Sequence, residues 1–206
     1  MPTLTQQNLQ GKKFSAKWKE LYQHYEKHKP AIQSRLLEFK QKRDQKEIFQ
    51  ELCFCILAAN TSSRMASRVM DSVGDVIFTG SEEEIRNKLH ELHCRFYNKR
   101  AEYIFYAQTI PIKFDREYLA ENIKGLGYKE SSHFLRNLGH NGYAILDKHV
   151  VNAMLEFKII KIKPTMNKKN YLILEEKLKK FSEELGINMD ELDFVLWSRK
   201  SDEILK

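Results

Sequence analysis

Lys129 and Asp147 are the residues of this chain whose types and setting could do covalent chemistry. Lys129 follows Gly125-Leu126-Gly127-Tyr128, and Asp147 precedes Lys148-His149-Val150. A neutral lysine amine is a nucleophile that forms imines, and a carboxylate stabilises the positive charge that such a step develops. Two glycines one residue apart let the backbone turn with φ > 0 and approach a ligand closely. A helix starting directly after them aims N–H groups without intrahelical partners at an anion such as phosphate. A cation in that first turn opposes the macrodipole at a cost of about 0.3–1 kcal/mol, and the same field favours the neutral, reactive amine. Lys124 and Lys148 add like charge nearby in the sequence. Plainer readings stand beside this one. Gly-x-Gly is also a helix end with a tight turn, Lys129 a solvated surface lysine, and Asp147 an ordinary helix N-cap. The cap and the chemical role are compatible, because a capping carboxylate is held rigidly.

The elements that must position these residues read as helices. Asp44-x-x-Glu47 and Ser81-x-x-Glu84 are capping-box patterns. The first precedes Ile48, Phe49, Leu52, Cys53, Ile56 and Leu57, and the second Ile85, Leu89 and Leu92, all at helical spacing. Pro30 is expected to open a helix through Ile32, Leu36, Leu37 and Phe39. Further helices are expected over 97–110, from Asp115 to Gly125, over 128–138, from Asp147 through Phe157, over 168–185 and over 188–200. Asn188-x-x-Glu191 resembles another capping box. No segment alternates with a period of two between turn signals. The reading is all-α, with about ten helices in two lobes flanking a cleft. Residues 97–157 form the expected central lobe, 29–96 with 158–206 the second, and 1–28 an N-terminal helical extension. The whole chain is read as a single functional unit.

Composition narrows the class. The chain has 206 residues, 42% hydrophobic and 31% charged, which suits a folded globular protein. Lys and Arg number 35 against 28 Asp and Glu, a net charge of +7 that suits a polyanionic partner. Lysine-rich solvated helix faces give the same excess. Cys53, Cys55 and Cys94 form no disulfide-like pattern and are expected as buried small hydrophobes in a reducing, cytoplasmic setting. No apolar run approaches the roughly 20 residues of a membrane span. The segment 1–13 is polar and lacks the apolar core of a secretory signal.

Around these residues the chain resembles the helix-hairpin-helix DNA glycosylase superfamily. It is most similar to the second-type 8-oxoguanine DNA glycosylase/AP lyases of archaea and thermophilic bacteria. The resemblance runs from about residue 49 to the end of the chain. It is carried by 51–60 (ELCFCILAAN), 95–104 (RFYNKRAEYI), 123–137 (IKGLGYKESSHFLRN), 144–149 (AILDKH) and 192–197 (LDFVLW). It implies a helix-hairpin-helix fold and an enzyme that removes 8-oxoguanine from double-stranded DNA through a lysine imine and then nicks the strand by β-elimination. Lys129 is then the nucleophile and Asp147 its acidic partner. Gly125 and Gly127 shape a phosphate-binding hairpin, with His149 a phosphate contact. Asn60 fills the gap left by the extruded base, while Arg95 and Phe96 engage the opposite base and the target. Trp197 and Lys206 recognise the lesion. The plain alternatives are a polar helix end for Asn60, a partly buried helix residue for His149, and core packing for Phe96 and Trp197. No metal or organic cofactor is implied, the C-terminal third having no cysteine for an iron–sulfur loop. The resemblance further implies action as a monomer at the nucleoid.

Two stretches depart from the family pattern. Asp202 stands where a glycine often follows the tryptophan, and 61–67 (TSSRMAS) replaces a small, glycine-containing run. Two other functions remain open at this level. One is a glycosylase or lyase of the same superfamily acting on another damaged base or on abasic sites. The other is a non-catalytic helix-hairpin-helix module that binds DNA.

Overall fold

The computed structural model describes residues 16–199. Eleven α-helices and no β-strand occur among them. In chain order the first six are α1 (Ala16–Phe39), α2 (Gln45–Ala58), α3 (Ser63–Val73), α4 (Val76–Thr79), α5 (Glu82–Glu91) and α6 (Tyr97–Ala107). They are followed by α7 (Arg116–Asn122), α8 (Tyr128–Asn137), α9 (Lys148–Glu156), α10 (Lys168–Leu185) and α11 (Met189–Ser198). These residues form two compact units: 40–140, here the hairpin unit, and 16–39 with 141–199, the aspartate unit.

In the hairpin unit α2 is the axis. Every residue from Glu51 to Ala58 is buried, as expected for a helix apolar on all sides. Helices α3, α6 and α8 pack around it, α5 lies on α6, and α7 on α8. Leu52, Ile56 and Leu57 meet a core that includes Ile104, Leu119, Phe134 and Leu135, all at most 1% exposed. Each such burial contributes about 1.5–3 kcal/mol. The two expected capping boxes form. Glu47 N–H donates to Asp44 Oδ1 and Asp44 N–H to Glu47 Oε2, both at 2.8 Å. Ser81 and Glu84 exchange the equivalent bonds at 2.8 and 3.3 Å. Each cap satisfies amides that would otherwise be orphaned, a contribution of about 1 kcal/mol. Cys53, Cys55 and Cys94 are buried and free. Burial pushes the Cys53 thiol well above its usual range, as in an inert core position.

The aspartate unit is built on α11, against which α1, α9 and α10 pack. Phe39 stacks on Phe194 with centroids 6.3 Å apart, and Phe181 meets Trp18 edge-on at 5.0 Å and Phe157 at 5.6 Å.

Two expectations need correction. Pro30 does not open a helix but lies inside α1. Leu21, Tyr25, Ile32 and Phe39 give α1 one continuous buried face on both sides of the proline, and that packing outweighs the lost backbone bond. Residues 16–28 are the first half of the same helix. At α11, Asn188 Oδ1 accepts from Asp190 N–H at 2.9 Å, yet no capping box forms. The Glu191 carboxylate is taken instead by Tyr25 Oη at 2.8 Å and Gln33 Nε2 at 3.0 Å. The compact units divide at 39/40 and 140/141. Gln108 Nε2 donates to the carbonyls of Ile77 and Gly80, each at 3.1 Å, tying residues before 96 to α6. Residues 142–146 bond instead to α10 and α11. No helix among the described residues is long and apolar enough to cross a membrane.

Candidate active site

The two glycines of the hairpin differ. Gly125 has φ +88°, and a Cβ there would stand 2.5 Å from the Tyr103 ring. Backbone and packing both require glycine. Gly127, by contrast, is extended, with φ −94° and ψ −170°. A Cβ there would meet only Glu130 Oε2, at an ordinary 3.5 Å. The expectation of φ > 0 therefore holds for the first glycine alone, and the chain's own fold gives no reason for the second. The turn is closed by Leu126 N–H donating to Ile123 O at 3.1 Å, with Leu126 buried.

Lys129 lies in the first turn of α8, as expected. Its ammonium is 3.3 Å from Glu130 Oε1, and 27% of its side chain is exposed. Glu130 Oε2 reaches back to Gly127 N–H at 3.4 Å. One carboxylate thus contacts both the lysine and the glycine amide. On the outer side of the hairpin, Lys124 Nζ sits 3.4 Å from the Tyr106 ring centroid and 3.3 Å from Glu102 Oε1. The far end of α8 is anchored by a buried polar chain. Asn137 Nδ2 donates to Glu51 Oε1 at 2.8 Å, Glu51 Oε2 accepts from Arg43 at 2.7 Å, and Arg136 donates to Asn137 Oδ1 at 3.2 Å. Phe54 and His133 pack edge to face beside it.

Asn60, Arg95 and Phe96 are exposed in the same unit. Asn60 follows α2 with φ +57°, and Phe96 precedes α6 with φ +58°. Asparagine visits this region readily, whereas a bulky residue there is strained. Phe96 is 56% exposed, so core packing is not its role, and the Arg95 guanidinium lies 5.1 Å from its ring.

In the aspartate unit Asp147 caps α9. Its Oδ1 accepts from His149 and Val150 N–H, both at 2.8 Å. The segment leading to it is pinned by buried side chains. Asp190 accepts from Gly142 N–H at 3.3 Å and Glu175 from Ala144 N–H at 2.8 Å. Tyr171 Oη donates to Ala144 O at 2.6 Å and accepts from Leu146 N–H at 3.3 Å. His149 is half-buried, and its Nδ1 has no hydrogen-bond partner among the described residues. Trp197 is half-buried on α11. Lys206 and Asp202 lie outside the described residues.

The hairpin unit thus gathers Asn60, Arg95, Phe96, Gly125, Gly127 and Lys129, while Asp147, His149 and Trp197 belong to the aspartate unit. Sequence reading missed the residues that hold them: Arg100, Glu51 and Asn137 in one unit, Tyr171, Glu175 and Asp190 in the other. The one available signal was a charged or amide group at an apolar helix position, as for Glu51 within 51–58. Among the described residues no group of three or more His, Cys, Asp or Glu is placed to hold a metal ion.

Residues 32–187 match a family model described as 8-oxoguanine DNA glycosylase. The chain is 43% identical to the 8-oxoguanine DNA glycosylase/AP lyase of Korarchaeum cryptofilum, covering 85% of this chain and 90% of that one. It is 39% identical to the protein of that name from Methanocaldococcus jannaschii, covering 86% and 93%. Among solved structures, the 8-oxoguanine DNA glycosylase of Thermotoga maritima superposes with a TM-score of 0.86 at 36% identity, covering 92% of this chain and 98% of that one. The Methanocaldococcus jannaschii glycosylase/lyase in complex with a 15mer DNA containing 8-oxoguanine gives 0.84 at 37% identity, covering 91% and 100%.

Proposed function

The chain belongs to the 8-oxoguanine DNA glycosylase family of helix-hairpin-helix proteins, and we propose that it excises 8-oxoguanine from double-stranded DNA and then cleaves the strand at the resulting site. The observation that carries the assignment of residues is Gly127. It is a glycine that neither φ nor internal packing demands, at the N-terminus of the helix bearing Lys129. Close approach of a phosphate supplies the missing reason, since helix N-termini bind anions.

In the proposed reaction the neutral Lys129 amine attacks C1′ of the extruded nucleotide. The glycosidic bond breaks, its electron pair leaving with the base, which takes up a proton. Loss of a proton from the amine and opening of the sugar give a protonated imine. Removal of a C2′ proton then expels the 3′ phosphate, and water hydrolyses the imine to release the amine. Asp147 stabilises the positive charge that builds on the sugar. Its two backbone donors fix the orientation of the carboxylate, and preorganisation of this kind is a large share of catalysis.

Asn60 fills the space vacated by the base, Arg95 meets the opposite base, and Phe96 stacks on the target. Unstacking costs a few kcal/mol, least for a damaged base, so exposed wedge residues suit the task. His149 contacts a phosphate, and Trp197 and Lys206 recognise the lesion. The enzyme acts as a monomer in the cytoplasm, at the nucleoid. The test is borohydride trapping on a duplex with one 8-oxoguanine. The wild type gives a covalent adduct and a nicked strand, and Lys129→Gln gives neither. Full-strength trapping by that variant would sink the lysine assignment, and salt-sensitive binding without nicking by the wild type would favour a non-catalytic hairpin module.

A further inference from the structure

Arg100 lies on α6 and is 3% exposed. Its guanidinium joins two loops. Nη2 donates to the Ala59 carbonyl at 2.7 Å and to Thr61 Oγ1 at 3.3 Å, bracketing Asn60 on both sides. Nη1 donates to Cys94 Sγ at 3.1 Å, and the Phe96 ring centroid lies 5.8 Å from the guanidinium carbon. The two loops share a second property: each presents exposed, non-glycine residues in the left-handed region, Asn60 in the first and His93 and Phe96 in the second. Such a conformation persists only where the surroundings over-determine it, and it concentrates at functional sites.

The remaining bonds of the first loop leave little else to shift. Ala59 N–H donates to Cys55 O, Thr61 N–H to Ala58 O, and Thr61 Oγ1 to Leu57 O at 2.7 Å. The Ala59 carbonyl is one of the unpaired acceptors at the C-terminus of α2, where a cation is also favoured by the helix dipole. Arg100 supplies both the donor and the charge. A planar guanidinium can serve a carbonyl, a hydroxyl, a thiol and a ring face at once, which an ammonium cannot do.

We propose that Arg100 is a positioning residue for base extrusion, holding Asn60 and Phe96 at a fixed separation as one rigid probe. This rests on the reading that Asn60 fills the space vacated by the base and Phe96 stacks on the target. Arg100 itself touches no substrate. Its loss leaves the lysine chemistry intact and slows the step in which the base leaves the helix.

The experiment uses the full chain on two duplexes, one with a single 8-oxoguanine and one with a preformed abasic site that has no base to extrude. Arg100→Lys keeps the charge, and Thr61→Val weakens the same clamp from its other end, so a folding failure of the first leaves the second. Thermal melts establish that each variant is folded. Excision of 8-oxoguanine under single turnover is expected to fall roughly tenfold in Arg100→Lys, a misplacement effect, while nicking at the abasic site changes less than about twofold. Combined with Asn60→Ala, the loss should not exceed that of the more damaging single change, because both act on one unit. Equal slowing on both duplexes, unchanged excision, or multiplied losses would each overturn the proposal. Full-rate excision by both Asn60→Ala and Phe96→Ala would remove the reading beneath it, whereas losses in those two with none in Arg100→Lys would overturn the inference alone.

Discussion

The loops that carry Asn60 and Phe96 in one unit and the segment ahead of Asp147 in the other are fixed with opposite halves of the hydrogen-bond repertoire. In the hairpin unit a buried cation donates to a helix carbonyl, as Arg100 does to Ala59. In the aspartate unit buried carboxylates accept from loop amides, Asp190 from Gly142 and Glu175 from Ala144. The difference follows the charge each side chain is proposed to face. Loops that meet a polyanion gain from a cation held behind them, whereas the segment ahead of Asp147 needs only to present one carboxylate in a fixed direction. Removing either kind of anchor leaves a buried partner unsatisfied, at a cost of about 1–3 kcal/mol.

The largest expected contrast is chemical. Lys129→Gln should abolish imine trapping on damaged and abasic duplexes alike. Asp147→Asn keeps the acceptor that caps α9, so it should leave the melt unchanged while lowering excision by roughly 10²–10³, as for loss of one preorganised electrostatic group. Trapping by Lys129→Gln or full-rate excision by Asp147→Asn would break the division of roles. Next in size are the anchors. Glu51→Ala strips Arg43 and Asn137 of a buried carboxylate and should cost about 3–5 kcal/mol in urea unfolding. Tyr171→Phe should cost about 1–3 kcal/mol and also lower kcat without weakening DNA binding, since it loosens the segment that carries Asp147. A Tyr171→Phe enzyme with normal kcat would show that this segment is held redundantly.

The two glycines should separate from each other, and the second gives the smallest effect on stability. Gly125→Ala forces a Cβ into Tyr103 at positive φ and should destabilise by about 2–4 kcal/mol, strain and overpacking together. Gly127→Ala should leave stability within about 0.5 kcal/mol, with the loss falling on DNA affinity measured at low salt. An equal drop in stability for both would mean that the second glycine serves the fold after all.

These glycines also mark where sequence reading ends. Capping boxes at Asp44 and Ser81, the helix ends and the position of Lys129 in the first turn of α8 were legible because they depend on neighbours three or four residues away. The family blocks added the helix-hairpin-helix fold. What was not legible depends on distant partners. Glu191 abandons a local capping box for Tyr25 and Gln33 on α1. Arg100 reaches Ala59, 41 positions away, and Asn137 reaches Glu51, 86 positions away. The exposure of Phe96 was not legible either, because an aromatic residue beside a helix start reads equally well as core.

The proline inside α1 has a consequence for local opening. Pro30 offers no N–H to the carbonyl one turn earlier, so the helix ladder is interrupted there. Glu191 grips α1 on both sides of that interruption, through Tyr25 before it and Gln33 after it. The carboxylate therefore acts as a splint across a joint. In Glu191→Ala, the amides of 16–29 and 31–39 should exchange with solvent as two separate groups, each with its own opening free energy, rather than as one cooperative helix.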